Sequence, residues 1–218
     1  VSLADGKRLG VKRGLAAASY SWGFEVSSDG WTVSASDARL CMYETEDLRW
    51  EYAGPMEWTA GPCLVGGRVL AGGRSGQIAA LDAKDGKVQW TAALGQRLHG
   101  PMAVVGDVVV VGSLEGTLFG VSARDGKTAW TLALGDAVVA GPYATPQGFF
   151  LASGNRRLWL VDPASGKVKA MREWPDPILA AAPLAKRAGY VCSDSRSRVA
   201  FLKSADLATA RQVDLRVP

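Results

Sequence analysis

Residues 80–90 read Ala80-Leu-Asp82-Ala-Lys-Asp-Gly86-Lys-Val-Gln-Trp90, and residues 120–130 read Gly120-Val-Ser122-Ala-Arg-Asp-Gly126-Lys-Thr-Ala-Trp130. A third copy follows at 160–170, Leu160-Val-Asp162-Pro-Ala-Ser-Gly166-Lys-Val-Lys-Ala170. Trp50 stands 40 residues before Trp90, which itself stands 40 before Trp130. A fixed period of this length marks one supersecondary unit stacked many times, so it decides the fold ahead of any single residue.

Each unit divides into four short β segments separated by turn signals. In one unit these are 100–105, 108–112, 117–121 and 128–132, rich in Val, Leu and aromatic residues with Gly at the turns. That bias suits antiparallel hairpins. The first segments are marked by Gly61-Pro62, Gly100-Pro101, Gly141-Pro142 and Ala182-Pro183. A divergent unit covers roughly 20–54; its third turn is two residues shorter, since Leu40 to Trp50 is ten positions and Ile78 to Trp90 is twelve. Ala4-Asp-Gly-Lys7 lies 80 positions before Asp85-Gly-Lys87, so the N-terminus reads as a leading half-unit. Units of about 40 residues with four strands are the size of propeller blades, which stack because a lone sheet leaves both faces bare. The expected fold is an all-β propeller of four-stranded antiparallel blades, about five full blades plus an N-terminal half-blade, in one domain over 1–218.

Gly86, Gly126 and Gly166 close the turn between third and fourth strands, where a positive φ is needed. Asp82 and Asp162 are placed to accept from turn N–H groups, and Ser122 to do so more weakly. The tryptophan four residues beyond the glycine is expected to cover a neighbouring blade while its indole N–H meets a carbonyl. The fourth copy has Ala170 at that place, and the next, around Ser204-Ala-Asp-Leu207, lacks the glycine as well, which predicts weaker packing late in the chain.

These residues resemble the quinoprotein-type (PQQ-like) propeller repeats. Residues 80–90 match the repeat motif Ala-x-Asp-x-x-x-Gly-x-x-x-Trp fully, and 120–130 and 160–170 match in part. The resemblance covers roughly 20–205 and speaks for the fold. It implies a choice of functions: quinoprotein alcohol dehydrogenases, the propeller lipoprotein of outer-membrane protein assembly, and sensor or scaffold domains. Propellers of this kind usually carry seven or eight blades. Ring closure then comes either from the N-terminal half-unit completing the last blade or from further blades.

Composition narrows the choice. The chain of 218 residues is 48% hydrophobic and 21% charged, with a net charge of +4. That is ordinary for a globular domain and no signature of nucleic-acid binding. No apolar run reaches the roughly 20 residues of a membrane-spanning helix. The first residues show neither an initiating Met nor a signal-peptide pattern, which reads as a processed chain or a segment of a longer one, and the compartment stays open.

The catalytic relatives imply a quinone beside calcium and an adjacent-cysteine disulfide. Cys41, Cys63 and Cys192 are far apart, and their expected role is as small buried hydrophobes, with one long-range disulfide as the alternative. No Glu/Asn/Asp set stands out around the only asparagine, Asn155. Gly72-Gly-Arg-Ser-Gly76 joins two strands and precedes no helix, so it reads as a hairpin turn. His99 reads as a structural residue in a loop before Gly100. No cofactor, metal site or catalytic residue is expected.

Charge points to one face. The second-to-third turns carry Arg39, Arg74, Arg156, Arg157, Arg196 and Arg198, against Asp37, Glu115 and Asp194. This predicts a basic docking face for a protein partner with an acidic segment. Nucleic acid is not expected, because no aromatic residues are interleaved for base stacking. The expected role is a non-catalytic interaction scaffold or sensor module. The alternatives are part of a quinoprotein dehydrogenase, a propeller fused to an enzyme, and an outer-membrane assembly propeller.

Overall fold

In the computed structural model, residues 21–26, 31–36, 39–44, 47–54, 57–184 and 189–215 are described, with side chains from residue 39 onward. The N-terminal half-unit around Ala4–Lys7 and the acidic Asp37 both lie outside the described residues.

Among the described residues, five four-stranded antiparallel blades follow one another. Blade 1 comprises β1 (Ser21–Val26), β2 (Trp31–Ser36), β3 (Arg39–Glu44) and β4 (Asp47–Ala53). Blade 2 comprises β5 (Trp58–Val65), β6 (Arg68–Gly73), β7 (Gln77–Asp82) and β8 (Val88–Ala93). Blade 3 comprises β9 (Leu98–Val105), β10 (Val108–Ser113), β11 (Thr117–Ser122) and β12 (Thr128–Ala133). Blade 4 comprises β13 (Val138–Thr145), β14 (Gly148–Ser153), β15 (Arg157–Val161) and β16 (Val168–Glu173). Blade 5 comprises β17 (Ile178–Pro183), β18 (Tyr190–Asp194), β19 (Arg198–Leu202) and β20 (Thr209–Asp214). Within each blade the strands pair in chain order, and a parallel bridge Ala60–Gly100 fuses blades 2 and 3 into one eight-stranded sheet. Residues 178–214 supply four strands of blade 5, and the N-terminal half-unit that could close the ring lies outside the described residues.

The Gly-Pro pairs sit inside the inner strands rather than at their starts. Gly61 and Gly141 adopt φ of 84° and 81°, and the β5–β6 and β13–β14 pairings slip register there. An extra residue needs a positive φ that a side chain resists. His99 accordingly lies in β9, opposite Gly112, and not in a loop.

The core lies between blades, not within them. Leu40, Met42 and Trp50 of blade 1 pack on Val69, Ala71, Ala79 and Leu81 of blade 2. Blades 3 and 4 meet through Val110, Leu118 and Trp130 against Phe149, Leu151, Trp159 and Val161. Blades 4 and 5 meet through Phe150, Ala152, Leu158 and Leu160 against Tyr190, Cys192, Ala200 and Leu202. Middle strands sandwiched on both sides are buried at all but their end positions, and β14 is buried throughout. In β18 burial alternates, because only one face of blade 5 is covered by a neighbour among the described residues. The inner strands pack in the order β1, β5, β9, β13, β17, with no comparable packing of β17 on β1 among the described residues.

The joints between blades follow a rule with an offset. The Trp50, Trp90 and Trp130 indoles donate to the carbonyls of Ala83, Ala123 and Pro163, each 33 residues on, at 2.9, 3.2 and 2.9 Å. Their rings lie on Gly86, Gly126 and Gly166 of the next blade, where a Cβ would stand 2.7, 2.6 and 2.5 Å from the indole. Each glycine therefore serves the preceding blade's tryptophan and not the tryptophan of its own unit. Asp82 and Asp162 accept from the N–H groups of Lys84 and Ser165, and Ser122 accepts from Arg124 at a longer 3.3 Å.

Candidate functional site: the turn-and-linker face

The second-to-third turns and the blade-to-blade linkers share one face, and their backbones are laced together. Leu94, Leu134 and Trp174, at the starts of three linkers, donate to the carbonyls of Gly76, Gly116 and Arg156 in the turns of the blades they leave, at 2.7–2.8 Å. The linker carbonyls of Glu57, Arg97, Ala137 and Pro177 accept from Arg74, Leu114, Gly154 and Ser195 in the turns of the blades they enter, at 2.8–3.1 Å. The three linkers that follow blades 2, 3 and 4 are thus tied at both ends, so the side chains they carry stand on a fixed platform.

All six arginines named from the sequence occur on this face, and five meet carboxylates. Arg39 pairs with Glu51 at 2.8 Å, Arg74 with Glu57 at 3.0 Å and Arg157 with Glu173 at 2.8 Å. Arg196 pairs with Asp176 at 2.9 Å, and Arg198 bridges Asp176 and Asp194. Arg156 donates instead to the Pro175 carbonyl at 3.0 Å. Blade 3 adds a pair that charge counting along the turns split apart, Arg97 with Glu115 at 2.7 Å. Four acidic partners were missed because they come from fourth strands and linkers: Glu51, Glu57, Glu173 and Asp176. The cross-strand register holds the available signal, since Arg157 stands directly opposite Glu173.

The pairs are of two kinds. Those of Arg39, Arg74 and Arg157 are largely exposed, and such pairs are worth about 0–1 kcal/mol. The corner between blades 4 and 5 is different. Asp194 has a fully buried carboxylate that accepts the Trp174 indole N–H at 2.9 Å, backbone N–H groups of Arg196 and Arg198, and Nε of Arg198. Burial alone would raise its pKa, but those hydrogen bonds outweigh it and hold the carboxyl below its usual range. Blades 3 and 4 have the neutral Ser113 and Ser153 at the end of the corresponding second strand.

The adjacent-cysteine pair that the resemblance implies for a quinone site has no counterpart in the sequence. Cys41, Cys63 and Cys192 are buried on three different blades, and burial pushes the Cys192 thiol up to about 11. Among the described residues, no three His, Cys, Asp or Glu side chains gather into a metal-holding group. No helix among them is long and apolar enough to cross a membrane.

Five four-stranded blades among the described residues, three of their four joints made by a tryptophan laid on the next blade's turn glycine, define a PQQ-like β-propeller. The family model described as outer membrane protein assembly factor BamB matches residues 1–211, and the chain belongs to that family. The crystal structure of BamB from Moraxella catarrhalis is similar at 22% identity and a TM-score of 0.74, over 88% of this chain and 64% of that one. The computationally designed Ika8 protein is similar at 14% identity and 0.74, over 88% and 60%. A chain of the Mitotic Checkpoint Complex is similar at 13% identity and 0.73, over 90% and 65%. These likenesses concern the fold, and the chain spans less than two thirds of each of these proteins. No curated protein sequence matches it.

Proposed function

We propose that this propeller is a non-catalytic scaffold that docks a protein partner on its turn-and-linker face. The observation that carries the reading is the build of that face: a laced backbone platform presents arginines whose carboxylate partners are themselves exposed. An acidic segment can exchange with Glu51, Glu57 or Glu173 at little cost, because each exposed pair is worth about 0–1 kcal/mol. The docking set is therefore Arg39, Arg74, Arg156 and Arg157, with Arg196 at its edge. Arg198 is committed to the buried corner. The family description favours outer-membrane protein assembly as the setting, with a protein of that process as partner.

The test is cross-linking and capture with the Arg74→Glu/Arg156→Glu/Arg157→Glu variant. A several-fold loss of the partner captured by the parent chain is expected, with an unchanged unfolding midpoint. Equal capture would end the proposal. Titration with PQQ and calcium supplies the opposing arm: dye-linked alcohol oxidation would place the chain with the dehydrogenases instead.

A further inference from the structure

The joint between blades 4 and 5 departs from the tryptophan-on-glycine rule on both sides at once. Ala170 occupies the strand position of Trp90 and Trp130, as the register shows: Ala80 faces Trp90, Gly120 faces Trp130 and Leu160 faces Ala170. Leu207 occupies the turn position of Gly86, Gly126 and Gly166. The hydrogen bonds prove the equivalence, since Gly86, Gly126 and Gly166 donate to Asp82, Ser122 and Asp162 at 2.9 Å, and Leu207 donates to Lys203 at 3.2 Å. The turn is the same turn, and Leu207 accepts a φ of 58° to fill it.

The expected looseness late in the chain is absent here. Leu207 is fully buried, and Ala170 packs against the same cluster. Bulk has moved from the strand to the turn. The polar contact has moved as well: Arg172 Nη1 donates to the Leu207 carbonyl at 2.7 Å, with its guanidinium carbon 5.0 Å from the Trp174 ring centre. A guanidinium thus donates to the receiving turn, as the indole N–H does at the other joints, although to the carbonyl of the glycine position rather than the one three residues before it.

The sizes make the two kinds of joint mutually exclusive. A tryptophan brought onto Leu207 meets side-chain atoms where the glycines offer none. An alanine brought onto a glycine turn leaves a void, which removes contacts that no relaxation fully restores. By contrast, Trp50, Trp90 and Trp130 and their three glycine turns are interchangeable by size and by hydrogen bond. Chains of near-identical repeats misassemble by swapping units between copies, and discrimination among like partners requires an element that penalises the wrong one.

We propose that the Ala170–Leu207 exchange is a pairing code. It makes blade 5 dock on blade 4 and on no other blade, and so fixes the order of blades against out-of-order pairing within and between chains during folding. The strained φ of Leu207 is retained because a glycine there would reopen a generic socket.

The test is refolding of the whole chain from denaturant over a range of concentrations, followed by light scattering on the sized products. Ala170→Trp/Leu207→Gly converts this joint to the generic kind. The variant is expected to unfold near the parent's midpoint yet to give a several-fold larger oligomeric fraction, rising with concentration. Trp130→Ala/Gly166→Leu codes a second joint and is expected to lower that fraction below the parent's. A generic variant that refolds as monomeric as the parent overturns the proposal. A generic variant that does not fold overturns the size exchange on which the proposal rests, provided Trp130→Ala/Gly166→Leu folds.

Discussion

The joint between blades 3 and 4 and the joint between blades 4 and 5 use the same turn and the same strand position, yet they place bulk on opposite sides. At the first, Trp130 lies on Gly166; at the second, Ala170 packs against the cluster that holds Leu207. Both are closed and both carry one side-chain hydrogen bond to the receiving turn. A propeller joint therefore needs a filled volume and a satisfied turn carbonyl, not a particular residue. A motif read along one unit records only half of each joint.

The largest expected effect breaks the first joint. Trp130→Ala removes a buried ring and should cost about 3–5 kcal/mol in urea unfolding. At the second joint the ordering of small residues should invert. Leu207→Ala should cost about 2–5 kcal/mol for the lost volume, whereas Leu207→Gly should cost about 1 kcal/mol less than that, because glycine relieves a left-handed backbone that penalises any side chain by about 1–2 kcal/mol. An alanine that proves better than glycine there would show that backbone strain is not part of this joint.

The corner beside the second joint adds a charge effect that the first lacks. Asp194→Asn should cost about 2–3 kcal/mol at neutral pH, below the 3–5 of a fully severed buried pair, because Asp176 still holds Arg198. The carboxyl of Asp194 is depressed in the fold, so its contribution is complete above the unfolded Asp value of about 3.9 and is lost as pH falls below it. The difference between parent and variant should shrink in that window, as followed by unfolding midpoints from neutral pH downward. A constant difference would contradict the assignment. The smallest effect belongs to the exposed pairs: Glu57→Gln should change stability by less than about 1 kcal/mol, as the same unfolding measurement reads it.

Much of this was legible in the chain itself. The 40-residue period marks the blades, and Asp82, Asp162 and the turn glycines foretell the third-to-fourth hairpins. The joints were half legible: that the indole meets a carbonyl of a neighbouring blade follows from the residue type and the repeat, but that the carbonyl belongs to the turn 33 residues on does not. Aligning units puts Gly126 beside Trp130, whereas space puts it beneath Trp90. For the same reason the loss of both Trp and Gly reads as decay along the sequence and as substitution across the joint. The arginine face was visible in its cations and not in its anions. Glu51 and Glu173 sit on other strands, and only the hairpin register brings them opposite Arg39 and Arg157.

A double-mutant cycle at the first joint tests the exchange of bulk most directly. Trp130→Ala and Gly166→Leu, singly and together, are compared by urea unfolding. Each single change should destabilise, the one by a void and the other by a clash, and the pair should be more stable than either, with a favourable coupling of order 1–3 kcal/mol for residues in contact. Losses that simply add would contradict the account, since they would mean that strand and turn residues at a joint do not fill one shared volume.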